Sequence, residues 1–341
     1  MANRTTATLA AGVLLACGLA VPQVATAAPA THSCSRWVNI ESFSDALDKT
    51  NFNGAYVGNF SALSAAPDGD ILALSDRSEL FSLDRTTKQP VDVVPLADEQ
   101  GRPLDSEGLA IDPDGTRLIT SEVEPSVRRY APDGTLLGDL PVPDVLRVAP
   151  AGRSTENATF EGLTLQPGGR TLVASMEDAL SGDQADLVRF QTWSRGSAGF
   201  TLADQYGYQV DQGLGVAEVT AVGDGRLLVL ERGFTEGVGN TIRLYLADPH
   251  GATDVTGIDS LTSSDARLVH KTPLVDLQGC PTLGATAKQP QPNPLLDNIE
   301  GMTVQHEAPG GRLQVLLVSD DNENPVQTTR LYSLDIKLPH H

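Results

Sequence analysis

The segment "EGLTLQPGGRTLVASMED", residues 161–178, contains the pattern that decides the fold. Two short apolar runs flank a glycine-rich turn, and this pattern predicts a β-hairpin. An acidic residue stands at each end of the hairpin, because Glu161 opens the first run and Glu177 follows the second. The chain repeats this arrangement, and the repetition predicts both an architecture and a site.

Four other segments share the sequence of an apolar run, a glycine-containing turn and a second apolar run. They are "SALSAAPDGDILALSDR" (61–77), "EGLAIDPDGTRLITSE" (107–122), "EVTAVGDGRLLVLER" (218–232) and "EGMTVQHEAPGGRLQVLLVSDD" (300–321). Further strand-like runs follow each hairpin, as in "SELFSL" and "TTRLYSLDI". About four strands per unit, at a spacing of roughly 45 to 57 residues, is typical of the blades of a β-propeller.

We therefore expect one all-β domain over residues 28–341, a β-propeller of four-stranded blades. The sequence contains five repeats, and a propeller with a sixth, irregular blade is the alternative. The last repeat lacks a fourth strand after "TTRLYSLDI". The N-terminal segment "SRWVNIESF", residues 35–43, could supply that strand and close the ring.

Residues 1–27 have the composition of a secretory signal peptide, with Arg4, an apolar run and a small-residue cleavage site at residues 25–27. They predict a secreted, extracellular protein, with lipoprotein anchoring at Cys17 as the alternative. No later segment of the sequence resembles a membrane span. The exported chain would keep Cys34 and Cys280, which predicts one disulfide. Two unpaired buried thiols are the alternative.

The formal net charge of the chain is −20. This charge argues against binding nucleic acid or an anionic membrane by general attraction. An anionic small-molecule substrate would also be repelled unless a cation is recruited to the protein.

Each repeat has one marked residue that opens its first apolar run and a second marked residue that follows its second apolar run. The turn of the hairpin lies midway between the two, so each pair is expected side by side at the open end of its hairpin. The first hairpin of a blade lies nearest the propeller axis, and the open ends would then face one central mouth. Nine of the ten marked residues are carboxylic acids, and like charges facing across a sheet destabilise it. The marked pairs are Ser61 and Asp76, Glu107 and Glu122, Glu161 and Glu177, Glu218 and Glu231, and Glu300 and Asp320.

Carboxylate ligands of this kind suit Ca²⁺, and Asn298, Asn322 and Asn324 are close by in the sequence. Neutralisation by arginine alone is the main alternative, since Arg77 and Arg232 directly follow marked acids. A third interpretation is a solvated acidic mouth. Further arginines lie at the starts of the third strands: Arg128, Arg129, Arg189, Arg243 and Arg330.

The sequence has no G-x-S-x-G motif and no H-E-x-x-H motif. The usual serine nucleophile of α/β-hydrolases and the usual zinc site of metalloproteases are therefore unsupported.

Five ordered motifs resemble the secreted bacterial "esterase-like activity of phytase" (phytase-like) family. They include the segments quoted above together with "DNIEGMTV" at residues 297–304 and "LLVSDDNENP" at residues 316–325. The resemblance covers most of residues 55–337 and implies a β-propeller, export and phosphoester hydrolysis. The family is more remotely similar to calcium-dependent propeller phytases, in which calcium bridges carboxylates and phosphate. The residues that match its acidic motifs are Asp76, Glu107, Glu161, Glu177, Glu218, Glu231, Glu300 and Asp320.

Arg77 and Arg232 match the basic positions of the family and would hold the substrate anion. Ser61 departs from the pattern, because the other repeats carry glutamate there. The first hypothesis for function is a monomeric, Ca²⁺-dependent hydrolase of a small phosphoester or ester. Glu107, Glu161 or Glu300 would act as its general base. A lactonase-type hydrolase and a non-catalytic extracellular binding propeller with structural calcium are the alternatives.

Overall fold

The computed structural model describes Met1 and residues 32–339. The predicted signal peptide with Cys17, and the terminal His340 and His341, lie outside the described residues. No helix within the described part of the chain is long and apolar enough to cross a membrane.

The described residues form β-strands joined by turns, with short 3-10 helices at Asp144–Leu146 and Leu277–Gly279. The chain begins with β1 (Val38–Ser44) and a small hairpin of β2 (Thr50–Phe52) and β3 (Ala55–Val57). Blade 1 contains β4 (Phe60–Ala65), β5 (Ile71–Ser75), β6 (Glu79–Leu83) and β7 (Pro90–Pro95). Blade 2 contains β8 (Ser106–Ile111), β9 (Arg117–Ser121), β10 (Ser126–Tyr130) and β11 (Leu136–Leu140).

The remaining three blades follow in chain order. Blade 3 contains β12 (Phe160–Leu165), β13 (Thr171–Met176), β14 (Leu187–Gly196) and β15 (Gly199–Gln209). Blade 4 contains β16 (Gly215–Ala221), β17 (Leu227–Thr235), β18 (Gly239–Asp248) and β19 (His270–Asp276). Blade 5 contains β20 (Ile299–Ala308), β21 (Arg312–Ser319) and β22 (Leu331–Lys337).

The N-terminal strand β1 completes blade 5, whose sheet has the order β1-β22-β21-β20. All strand pairs in the blades are antiparallel, and each of the other blades is a four-stranded sheet of consecutive strands. The described chain therefore contains five four-stranded blades and no sixth blade. The predicted propeller and its closure by the N-terminal segment are confirmed.

The hydrophobic core lies between neighbouring blades. In β17, Leu228 and Leu230 pack toward blade 5, whereas Leu227 and Val229 pack toward blade 3. Both faces of such a strand are buried, so its sequence is a continuous apolar run and does not alternate with polar residues. Since a fully buried leucine contributes about 1.5–3 kcal/mol, these interfaces hold the ring together.

The disulfide joins Cys34 to Cys280, as the cysteine count predicts. Cys34 lies four residues before β1, and Cys280 lies in the connection between blades 4 and 5. A hydrogen bond of 2.7 Å from the Ser35 hydroxyl to the carbonyl oxygen of Leu274 reinforces the same junction. The closing strand is thus tied to the preceding blade.

We predict that the double variant Cys34→Ser, Cys280→Ser is less stable than the natural chain by about 2–5 kcal/mol. The bridge closes a loop with a sequence separation of 246 residues, and opening it increases the entropy of the unfolded chain. Chemical denaturation of both proteins measures the difference. An unchanged unfolding midpoint would contradict the prediction.

Candidate active site

The inner strands of the five blades begin around one central cavity of about 370 Å³. Polar and charged side chains from every blade or its adjoining loops face into it. The lining residues are Ser61, Asp76, Arg77, Asp105, Glu107, Glu122, Asn157, Glu161, Glu177, Arg232, Asn298, Glu300, Asp320 and Asn322.

The lining residues form two groups, and a β-bulge in each inner strand positions the first group, which lies at the start of that strand. The register between the inner strand and its neighbour shifts at Ser61, Glu107, Glu161 and Glu300, and also at Ala217 in blade 4. A bulge inserts an extra residue and turns its side chain away from the regular alternation. The bulges thereby account for glutamates from blades 2, 3 and 5 facing the same cavity.

The second group follows the end of the second strand in blades 1, 2, 3 and 5. The backbone N–H of Glu122, for example, donates to the carbonyl oxygen of Asp105 at 2.8 Å, and that of Glu177 to Thr159 at 2.7 Å. Asp76 and Asp320 occupy the equivalent positions in blades 1 and 5. These hydrogen bonds extend each hairpin by one residue and fix the acids at the cavity.

Six of the eight acids predicted as metal ligands therefore line the cavity, but Glu218 and Glu231 do not. The bulge shifts the register of blade 4, so that Ala217 and Arg232 stand where other blades carry the acidic pair. The prediction that Glu218 faces Glu231 requires a regular ladder without a bulge. The fourth repeat lacks the Glu-Gly dipeptide that marks the bulge in blades 2, 3 and 5. In blade 4 the predicted side-by-side acidic pair is thus replaced by alanine and arginine.

Glu218 occupies the position that is glycine in blades 2, 3 and 5. Its carboxyl accepts hydrogen bonds from the backbone N–H of Leu163 at 3.2 Å and of Val219 at 2.9 Å. Glu231 is fully buried and accepts from the Tyr208 hydroxyl at 2.7 Å. Both acids thus bind groups within the propeller wall, away from the cavity.

Two carboxyl groups outside the predicted ligand set, Asp105 and Glu122, also face the cavity. Glu122 is marked by the repeat itself, as the partner of Glu107 in its hairpin. Asp105 precedes the strand, at a position occupied by Asn59 in blade 1 and Thr159 in blade 3. The residue type varies there, so the repeat gives no signal for it.

Two guanidinium groups and eight carboxyl groups line the cavity among the described residues. Arg232 lies 3.3 Å from Glu300 and 3.4 Å from Glu177, and it donates to the Asn298 side-chain oxygen at 2.9 Å. Arg77 is more exposed and lies 3.5 Å from Asp76. Arginine therefore offsets part of the acidic charge and leaves an excess of carboxyl groups.

The arginines that begin the third strands pair with acids elsewhere. Arg189 binds Asp183 at 2.7 Å, and Arg330 binds Asp45 at 2.5 Å. Their planar groups are held against those carboxylates and do not reach the cavity lining. The set also contains Arg128, bound to Glu99 and Glu124, Arg129, near Asp114, and Arg243, bound to Asp211 and Asp276.

Burial and mutual repulsion raise the pKa values of the cavity acids. Burial raises the pKa of Glu300 to about 8, with Asp320 adding to the shift and Arg232 opposing it. Burial, followed by the charge of Glu177, raises the pKa of Glu122 to about 7. Burial also raises the pKa of Glu161 well above its usual range, and the charge of Glu107 adds to this effect. Ionising all these groups at neutral pH therefore costs free energy unless a cation binds.

The donor set fits a hard divalent cation. Oxygens of Asp105, Glu107 and Glu122 lie within 4.8 Å of one another, and so do oxygens of Glu122, Glu161 and Glu177. Carboxylate and amide oxygens are the ligands that Ca²⁺ prefers, and Asn322 also lines the cavity. Glu122 belongs to both groups of three and could contribute to either.

The fold and the cavity define a five-bladed β-propeller with an acidic central site. Residues 55–323 match the family model described as "Phytase-like: Esterase-like activity of phytase", and the chain belongs to this family. No curated protein matches the chain.

Several solved structures of other proteins are similar to this chain at low sequence identity. Glutaminyl cyclase of Myxococcus xanthus is 15% identical with a TM-score of 0.43, over 88% of this chain and 97% of that one. Virginiamycin B lyase of Staphylococcus aureus is 10% identical with a TM-score of 0.36, over 84% of this chain and 69% of that one. The WD40 repeats of RRP9 are 11% identical with a TM-score of 0.40, over 88% of this chain and 98% of that one.

We predict that the metal-free protein becomes less stable as the pH rises from about 4 to about 8. The folded state holds protons on Asp76, whose pKa burial raises to about 7, and on Glu300, whose pKa is about 8. The unfolded chain releases those protons near its ordinary carboxyl pKa, so stability is lost as the folded groups ionise.

Calcium should reverse this dependence, because it favours the ionised acids. The increase in melting temperature on adding calcium to dialysed, metal-free protein should be larger at pH 8 than at pH 5. Equal melting curves with and without calcium at both pH values would favour the arginine-only interpretation.

We predict that Glu161→Gln weakens calcium binding, whereas Glu218→Gln leaves it unchanged. The two variants make the same chemical change at two buried glutamates, of which only Glu161 faces the cavity. Without calcium, Glu161→Gln should be as stable as the natural chain or more stable, since one repelling carboxyl is removed. Calorimetric calcium titrations and melting curves measure both effects. Equal losses of calcium affinity in the two variants would contradict the assignment.

Proposed function

We propose that this protein is a Ca²⁺-dependent hydrolase acting on a phosphoester or ester at the central cavity. The observation that carries the proposal is the meeting of eight carboxyl and two guanidinium groups in one cavity of the described chain. Membership of the phytase-like family supports the same chemistry. The substrate would be a small molecule, since the cavity volume is about 370 Å³.

The proposal also accounts for the charge of the chain. A protein with a formal charge of −20 repels an anionic substrate in the absence of a bound cation. When bound, Ca²⁺ supplies positive charge that attracts the substrate and polarises the bond to be broken. Its ligands would come from Asp76, Asp105, Glu107, Glu122, Glu161, Glu177, Glu300 and Asp320.

Arg232 is the side chain best placed to hold the substrate anion. It is anchored by Asn298 and lies beside Glu177 and Glu300, while its Nε has no partner among the described residues. A guanidinium group binds phosphate oxygens through paired N–H donors. Arg77, at the more exposed edge of the cavity, would bind the same anion from another side.

Glu107, Glu161 and Glu300 are the candidate general bases. Glu300 is the strongest of the three, because its carboxyl lies 3.3 Å from Arg232 and therefore next to the proposed anion site. The Asn298 amide donates to the carboxyl of Glu300 at 2.9 Å and fixes its orientation. With calcium bound, which favours the ionised form of the acids, Glu300 could accept a proton from an attacking water.

Export of the chain is part of the proposal. The sequence of residues 1–27 predicts a signal peptide, and the Cys34–Cys280 disulfide is typical of proteins in oxidising compartments. Calcium is abundant outside cells, which would keep a carboxylate site of modest affinity occupied.

We predict that the purified protein releases phosphate or alcohol from small phosphoesters or esters with calcium, and not with a chelator. Glu300→Gln should lower kcat by about 10²- to 10⁴-fold, because general-base catalysis is lost. Glu218→Gln, outside the cavity, should keep its activity. The assay compares matched phosphate monoesters, carboxylic esters and lactones.

Hydrolysis of lactones alone would identify the lactonase-type alternative. A protein that binds calcium but cleaves none of these substrates would overturn the proposal in favour of a binding propeller. Activity that survives both chelation and Glu300→Gln would also overturn it.

A further inference from the structure

One hairpin of blade 4 extends beyond the others at the cavity. In blades 1, 2, 3 and 5 the pairing of the second and third strands ends at Ser75, Ser121, Ser175 and Val318. In blade 4 the pairing of β17 with β18 continues through Arg232, Gly233, Phe234 and Thr235. Arg232 lines the cavity, so the additional residue pairs of this hairpin extend outward from the cavity wall.

The extension carries an exposed aromatic ring on the strand that also carries Arg232, the proposed anion site. Arg232 and Phe234 are two residues apart in a regular ladder, so their side chains project from the same face of the strand. Phe234 stands about 7 Å further along the strand than Arg232. It is 57% exposed, as is Val238 at the hairpin tip. Exposed apolar surface rimmed by polar residues can form part of a ligand-binding groove.

The hairpin is braced from two sides and forms a fixed platform. The side-chain oxygen of Gln291 accepts a hydrogen bond of 2.8 Å from the backbone N–H of Asn240. A Cβ atom on Gly233 would come within 2.8 Å of the carbonyl oxygen of Gly213. These contacts hold the backbone that carries Phe234, although its own ring has little protein around it.

The number of cationic side chains in the cavity limits how many anionic groups of a ligand it can bind. Arg77 and Arg232 are its cationic side chains, and no lysine lines it among the described residues. Arg232 is the less exposed of the two. One phosphate group matches this number of donors better than a substrate carrying many phosphates, whose other groups would face carboxylates.

We propose that the substrate is a phosphate monoester of an apolar alcohol, with its phosphate at Arg232 and its alkyl or aryl part on Phe234 and Val238. The proposal rests on the proposed function and specifies its substrate class. It predicts that affinity rises with the apolar surface of the alcohol, because Phe234 buries part of that surface on binding.

Ethyl phosphate and hexyl phosphate provide the test, since they share the phosphate and differ in alkyl length. Binding to the calcium-loaded full chain is measured by calorimetry below the micelle concentration, and hydrolysis is measured in parallel. We expect hexyl phosphate to bind about tenfold more tightly than ethyl phosphate. Phe234→Ala should remove most of this preference while changing ethyl phosphate affinity by less than about twofold.

Two further variants serve as controls. Phe234→Leu keeps an apolar side chain and should retain most of the preference. Leu137→Ala removes another exposed apolar residue, on β11 and outside the cavity lining, and should change neither affinity.

The outcomes separate this inference from the proposed function. A hexyl preference that depends on Phe234, without hydrolysis of either compound, would support the ligand class and overturn the hydrolase. Equal affinity for the two phosphates, binding of neither, or a preference that survives Phe234→Ala would overturn the inference. Equal losses for both phosphates in Phe234→Ala would also overturn it, because the ring would then act on the anion site alone.

Discussion

The close approach of the inner strands around the propeller axis is the constraint on which the structure depends. A Cβ atom on Gly108 would lie 2.4 Å from the carbonyl oxygen of Glu161 in the next blade. A Cβ atom on Gly162 would lie 2.4 Å from the backbone nitrogen of Val219. Since no side chain fits at these points, glycine follows the acid in the repeated Glu-Gly dipeptide. The same bulge that brings the backbones together turns the preceding glutamate into the cavity.

The position of the acidic site therefore follows from how the inner strands pack, and the charge of the site opposes the stability of the ring. Buried carboxyl groups raise one another's pKa values, and Arg232 offsets the charge of only its near neighbours. Natural proteins tolerate such local conflicts mainly at functional sites. The apolar interfaces between blades, such as those formed by Leu228 and Val229, provide the stabilisation that makes the conflict tolerable.

The sequence was sufficient to predict the fold, because glycine turns and apolar runs are local signals that recur at blade spacing. It also predicted most cavity acids, since the Glu-Gly dipeptide marks the bulge. It misplaced Glu218 and Glu231, because a bulge changes the register by one residue and the fourth repeat carries no glycine to reveal it. Long-range pairing was equally hidden: the partner of Arg330 is Asp45, far away in the chain, and only folding brings them together.

The divergence of blade 4 from the other blades has a consequence for the orientation of a bound ligand. Five equivalent blades would form a cage with rotational symmetry, and a ligand on the axis could turn freely between equal walls. Ala217 removes one acid from that ring and Arg232 replaces another with a cation, so the wall of blade 4 carries a cation and no acid. A ligand with one negative end is then favoured in the orientation that points this end toward Arg232. The repeat supplies the enclosure, and its least faithful copy supplies the orientation.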